Sequence, residues 1–145
     1  MIIIAADHAG FAWKTRLAKW LTQHKHACVD AGAATFRPGD DYPAIARRAA
    51  LLVKKNHAKG IFICGSGVGM SIVANRISGI RAVNAQTLAI TRRSRLEDDA
   101  NVLVLGSRVI TFANALAIVR LWLATPSPRA PRHLSRIRMI DRPKK

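Results

Sequence analysis

Five short apolar runs, separated by stretches of helical periodicity, lay out this 145-residue chain. Ile2 to Ala6 is continuously apolar, the pattern of a strand covered on both faces in a parallel sheet. After Asp7-His8-Ala9-Gly10 the period changes, and a helix of about 14 residues is expected, with Phe11, Leu17, Trp20 and Leu21 inward and Lys14, Arg16 and Lys19 elsewhere on its surface. Residues 27–31 make a second short strand. A loop dense in turn formers, Arg37-Pro38-Gly39-Asp40-Asp41-Tyr42-Pro43, then leads to a helix over 44–57 with Ile45, Ala49, Leu52 and Val53 inward. Strand and helix alternate three times more: strand 60–64 with helix 68–77, strand 80–85 with helix 88–96, and strand 101–105 with helix 112–124.

Alternation of this kind specifies an α/β fold, a three-layer αβα sandwich around a five-stranded parallel, Rossmann-like sheet with right-handed crossovers. The length suits one domain over residues 1–145. Pro126, Pro128 and Pro131 interrupt the pattern, and a basic amphipathic segment over 132–140 follows. The tail from about 126 to 145 is expected to lie over the surface or to reach a second subunit.

The chemistry concentrates where the third strand meets its helix, at Cys64-Gly65-Ser66-Gly67-Val68-Gly69-Met70-Ser71. Three glycines let the backbone approach a ligand closely, and the first amides of the helix point toward an anion. Cys64 opens the loop beside that positive helix end, which favours a thiolate able to act as base or nucleophile. A buried cysteine at a strand end is also, more ordinarily, a small inert hydrophobe. The string is not a P-loop, because Gly69 is followed by Met70-Ser71 rather than Lys-Ser/Thr. It is not a dinucleotide fingerprint either, since Met70 occupies the third glycine position and no acid occurs from 42 through 96. A phosphatase-type cysteine loop would carry an arginine, and this one has none. Elsewhere, Asp7 is a natural N-cap, and His8 sits at a strand's carboxyl end, where open parallel sheets bind ligands.

Charge changes the picture only partly. The chain has 24 Lys and Arg against 8 Asp and Glu, a net +16. No basic helix with interleaved aromatics and no nucleic-acid-binding motif accompanies it, so no specific nucleic acid partner is expected. A phosphorylated small molecule uses the same field. No run approaches the roughly 18 apolar residues of a membrane span, and Met1 to Asp7 does not read as a signal peptide, so no membrane and a cytoplasmic location are expected. Cys28 and Cys64 are too few for a disulfide framework and have no zinc-site spacing, so no metal is expected.

Several strings together carry a resemblance: Asp7-His8-Ala9-Gly10, Asp41-Tyr42-Pro43, the Cys64 to Ser71 loop, Ala74-Asn75, Gly79-Ile80-Arg81-Ala82, Asn101-Val102-Leu103 with Gly106-Ser107-Arg108, and Arg132-His133 with Arg136. In this order the chain resembles the type B ribose-5-phosphate isomerases and their galactose-6-phosphate isomerase relatives. The resemblance implies an aldose–ketose isomerase that works through an enediolate without metal or cofactor, in a homodimer or dimer of dimers with sites between subunits. It implies Cys64 as the base, with Gly65, Gly67, Val68 and Gly69 in the oxyanion nest and Ser66 orienting the thiol or a sugar hydroxyl. Asp7 and Tyr42 are implied as substrate contacts, and His8, Arg108, Arg132 and Arg136 as the phosphate grip, for which the planar guanidinium is suited.

One departure stands out. Where the family writes His-Asn, this chain has Glu97-Asp98 ahead of Asp99-Ala100-Asn101. The family's histidine opens the furanose ring, so that task falls to Glu97, with Asp98 in the place of a substrate-contacting asparagine. A carboxyl with an ordinary pKa of about 4.3 needs burial to serve as an acid near neutrality. The acidic run would equally serve as a salt-bridge partner for Arg92, Arg93 and Arg95. Two function classes follow: a pentose- or hexose-phosphate isomerase, with ribose 5-phosphate as the expected substrate, or a non-catalytic sugar-phosphate-binding relative.

Overall fold

The computed structural model describes residues 1–142. Five strands, β1 (Ile2–Ala6), β2 (Cys28–Asp30), β3 (Lys59–Cys64), β4 (Ala82–Asn84) and β5 (Val102–Gly106), pair in parallel in the order β2-β1-β3-β5-β4. Six α-helices accompany them: α1 (Phe11–Gln23), α2 (Tyr42–Lys55), α3 (Val68–Ala74), α4 (Leu88–Leu96), α5 (Phe112–Ala124) and α6 (Pro131–Ile140). This is the expected αβα sandwich.

Strand alternation sorts the core into two layers. Ile3, Ala5, Phe62, Cys64, Val102 and Val104 face α2 and α3, while Ile2, Ile4, Ile61, Ile63, Leu103 and Leu105 face α1 and α5. Each fully buried Ile or Leu contributes roughly 1.5–3 kcal/mol. That weight falls on β1, β3 and β5, which therefore form the rigid platform. The edge strands β2 and β4 are short and more exposed, so the runs expected over 27–31 and 80–85 narrow to three residues each. β3 pairs with both β1 and β5, and the chain turns outward in opposite directions from β1 and β3. A crevice opens at such a switch point, beyond the strands' carboxyl ends.

The helix boundaries have local causes. Asp7 Oδ1 accepts the Gly10 amide at 3.1 Å, capping a single 3₁₀ turn that leads into α1. α2 starts at Tyr42, before the expected 44, because Pro43 suits a first helical turn. It ends before His57, which adopts φ 49°, the left-handed conformation common just past a helix end. α3 stops at Ala74, short of 77, where the Asn75 side chain turns to the backbone of Ala82, accepting its amide at 2.8 Å and donating to its carbonyl at 2.9 Å.

One expectation changes. Lys14 is buried, not on the surface: its Nζ pairs with Asp30 Oδ2 at 2.7 Å and donates to the Ala33 carbonyl at 2.6 Å, bracing β2 against α1. The basic segment over 132–140 is helical, as α6, and none of its residues is buried. Its far end is tied by Arg81 Nη1 to Asp141 Oδ2 at 2.7 Å. Residues 143–145, the end of the basic tail, lie outside the described residues. No helix among the described residues is long and apolar enough to cross a membrane.

Candidate active site

The loop after β3 bends back across the carboxyl ends of the sheet. The amides of Ser107 and Arg108 donate to the carbonyls of Cys64 and Gly65, each at 2.9 Å, and Ser107 Oγ donates to the Ala9 carbonyl at 2.8 Å. Three strand ends, those of β1, β3 and β5, are thereby bolted together. Gly67, at φ +80°, then turns the chain into α3, a conformation that glycine adopts without strain.

Cys64 ends β3 at 4% exposure. Its Sγ accepts the Gly67 amide at 3.2 Å, and Ser66 Oγ accepts the Val68 amide at 3.2 Å. Thiol and hydroxyl thus occupy two of the loop's donors. The next amides, of Gly69 and Met70, open α3 and have no partner within their own helix. Such a set suits an oxygen that gains negative charge beside the thiol.

A cavity of about 510 Å³ lies over this loop. Asp7, Tyr42, Cys64, Gly65, Ser66, Val68, Gly69 and Arg108 line it, so eight residues singled out from the sequence converge here. Gly67 turns the loop from beneath. Arg108 sits over Gly65, its Nη1 3.5 Å from where a Cβ on that glycine would lie. Asp7 is 5% exposed, and burial pushes its carboxyl above the usual range against the opposing pull of the Gly10 amide. His8, next along the chain, pairs through Nδ1 with Asp40 at 2.9 Å. Two lining residues were not foreseen, Ile72 and Val109, and both are largely exposed.

Glu97, Asp98, Arg132 and Arg136 are not brought to this cavity within the chain. Residues 97–101 precede β5, whereas Cys64 pairs with Gly106 at that strand's other end. Glu97 Oε1 meets Arg93 Nη1 at 3.4 Å, Asp99 bridges Arg95 at 2.6 Å and Arg81 at 3.2 Å, and the Asp98 carbonyl accepts from Arg81 Nε at 3.0 Å. The salt-bridge alternative therefore describes Glu97 and Asp99 as they stand in one chain. α6 is held at the same amino-end edge, where Ile140 packs near Arg81 and Asp98, and Arg132 and Arg136 are exposed.

Two further residues support the loop and escaped sequence reasoning. Asn84 Nδ2 donates to the Ser66 carbonyl at 3.2 Å, and its Oδ1 lies where a side chain on Gly67 would go. Asp40 is the partner of His8. Nothing local marks either, because each acts across the sheet or from a distant loop. Among the described residues no group of three or more His, Cys, Asp or Glu is placed to hold a metal ion.

The chain is similar to known proteins over nearly its whole length. Ribose-5-phosphate isomerase B of Mycolicibacterium paratuberculosis is 36% identical over 96% of this chain and 88% of that protein. D-erythrulose-4-phosphate isomerase 2 of Mycolicibacterium smegmatis is 39% identical over 84% of this chain and 82% of its own length. The crystal structure of ribose-5-phosphate isomerase B from Mycoplasma genitalium, with ribulose-5-phosphate bound, superposes with a TM-score of 0.91 at 37% identity, covering 96% of this chain and 92% of that one. With the Ribose/Galactose Isomerase family model matching residues 2–140, the chain belongs to that family of sugar isomerases.

Proposed function

We propose that this protein interconverts ribose 5-phosphate and ribulose 5-phosphate through a cis-enediolate, with Cys64 as the base. The observation that carries the reading is the Cys64 thiol, buried at a strand's carboxyl end beside a glycine loop and within one cavity with Asp7, Tyr42 and Arg108. The Cys64 thiolate takes the proton from C2 of the open-chain aldose, and the electrons of that C–H bond move to give the enediolate. The charge on O1 is met by the loop amides. The O2 proton passes to O1, and return of the abstracted proton to C1 then leaves the ketone at C2, so C2 is oxidised and C1 reduced within one molecule and no electron carrier is required. Ser66 orients the thiol or a sugar hydroxyl, and Arg108 and His8 hold the phosphate.

The phosphate grip is completed by a second subunit. Arg132 and Arg136 are exposed on a helix without buried residues, and Val68, Ile72 and Val109 leave an apolar rim at the cavity, Ile72 being 55% exposed. A homodimer covers that rim and brings the partner's α6 arginines and acidic run to the substrate.

A second reading of the substrate rests on the similarity to the erythrulose-4-phosphate enzyme. Purified protein assayed with ribose 5-phosphate, D-erythrulose 4-phosphate and a hexose 6-phosphate decides between substrates by kcat/KM. In the preferred substrate, Cys64→Ala is expected to lower kcat by about 10²–10⁴, the usual weight of a positioned base, while binding of the sugar phosphate persists. Binding without turnover of any of the three by the unmodified protein would instead identify a non-catalytic relative. Substantial kcat in the alanine variant would remove Cys64 from the role of base.

A further inference from the structure

We propose that Asp40 is the positioning residue of this site: its carboxylate fixes the His8 ring in one orientation and one tautomer, with the proton on Nδ1 and Nε2 presented to the substrate. Asp40 Oδ1 receives two bonds from the same residue, the His8 backbone amide at 2.8 Å and the ring Nδ1 at 2.9 Å. An ionised carboxylate only accepts, so the ring nitrogen facing it carries the hydrogen. Gripped at backbone and ring together, the imidazole has lost its side-chain freedom before any ligand arrives. Its Nε2 has no hydrogen-bond partner among the described residues.

The placement of Asp40 adds a reason for the loop that carries it. Residues 37–41 leave the β2 edge and double back over the carboxyl ends of the sheet. The Asp40 amide closes the turn on the Arg37 carbonyl at 3.3 Å, with Gly39 at φ +82°. Two residues later Tyr42 begins α2 and lies against Gly69 of the thiol loop. Asp40 therefore ties the β1 end, with Asp7 and His8, to the segment that delivers Tyr42. A purely structural staple would need only the bond to the backbone amide; the second bond, to the ring, is what assigns a role in orienting the imidazole. With this tautomer, neutral His8 accepts a hydrogen bond from a sugar hydroxyl and donates to a phosphate oxygen only as imidazolium. This inference rests on the isomerase reading for its substrate, but not for its geometry.

The test is the ring ¹⁵N spectrum of His8, assigned by comparison with His8→Gln and recorded without substrate at mildly alkaline pH. The unmodified protein is expected to show the Nδ1–H form. Asp40→Asn, which keeps an oxygen acceptor, should retain it, and Asp40→Ala should shift the ring toward Nε2–H. If Asp40→Ala proves unfolded by thermal melting, Asp40→Ser, whose hydroxyl is too short to reach the ring, takes its place. With substrate, where His8 donates to the phosphate as imidazolium, the Ala or Ser variant removes the carboxylate that pairs with that cation, so KM should rise roughly tenfold with little change in kcat, as for one lost charge-assisted bond. The same substitution added to His8→Gln should cost little more. An unchanged Nδ1–H signal in the Ala or Ser variant, or a full additive loss on top of His8→Gln, would overturn the proposal. Because the tautomer is read on free protein, failure of the isomerase reading shows separately, as absence of turnover in the unmodified enzyme.

Discussion

The ring of Tyr42 lies against the backbone of Gly69, so close that a Cβ on that glycine would stand 2.5 Å from Tyr42 Cε2 and 2.9 Å from its hydroxyl. The contact joins the first residue of α2 to the first turn of α3, and both line the cavity over Cys64. Gly69 is thus small because a neighbour occupies the space.

The consequence is a prediction about Gly69→Ala. The methyl group must displace the Tyr42 ring or push back the loop, and overpacking of this kind costs about 1–3 kcal/mol. Thermal melting should show a lower Tm, and kcat/KM should fall further than the stability loss explains. The double variant Gly69→Ala with Tyr42→Ala should recover stability. Unchanged melting in the single variant would mean the ring swings away freely.

Asp7 supplies a pH-dependent test. Its folded-state carboxyl titrates above the ordinary Asp value, mainly because burial disfavours the charge. The native state therefore holds this proton more tightly than the unfolded chain. The contribution to stability is full below the unfolded pKa and is lost as pH rises through the folded value. At neutral pH the ionised carboxylate is a stability cost, of the kind carried by groups kept for function. Asp7→Asn, which still has an oxygen for the Gly10 amide, should melt higher than the unmodified protein at pH 7. The advantage should shrink as pH falls into the carboxylate range, while kcat/KM is reduced throughout.

Complementation tests whether the site is shared. Within one chain the far end of α6 is tied to Arg81, just before β4, whereas Cys64 ends β3, and neither Arg132 nor Arg136 lines the cavity over Cys64. Assayed well below KM, the Cys64→Ala homodimer should be nearly inactive and the Arg136→Ala homodimer at least roughly tenfold weaker than the unmodified protein. Mixed and allowed to exchange subunits, they should regain activity, because each heterodimer rebuilds one intact site. Arg132→Ala should behave as Arg136→Ala does, with KM rising roughly tenfold or more for each phosphate contact removed. No recovery on mixing would place the phosphate grip elsewhere.

Glu97 sets the last expectation. Its carboxylate is engaged by Arg93 at 3.4 Å in an exposed i, i+4 pair, a contact worth only a few tenths of a kcal/mol and easily surrendered to a ligand. If this carboxyl opens the sugar ring poorly, spontaneous opening limits conversion of ribose 5-phosphate. Progress curves should then saturate with enzyme concentration, and Glu97→His should lift the ceiling. Rates that stay proportional to enzyme, with no gain in the histidine variant, would show that ring opening is already served.

Much of this protein was determined along the chain itself. Continuous apolar runs at β1, β3 and β5 required a parallel sheet covered on both faces, and the thiol-glycine loop between β3 and α3 followed from order alone, since a strand that ends in Cys64 and a helix that begins at Val68 leave only that turn between them. Periodicity could not see pairs made across the sheet. Lys14 reads as a surface lysine until Asp30 and the Ala33 carbonyl are found beside it, and Asn84 reads as a strand end until its amide meets Ser66. Asp40, 32 residues from His8, is one more polar residue in a turn until the loop folds over β1. The tertiary structure alone decided on which side of the sheet each chemical group stands. It set Asp7, Tyr42, Cys64 and Arg108 around one cavity and left Glu97, Arg132 and Arg136 outside it, because parallel strands send every strand-to-helix loop to one edge and every helix-to-strand return to the opposite one.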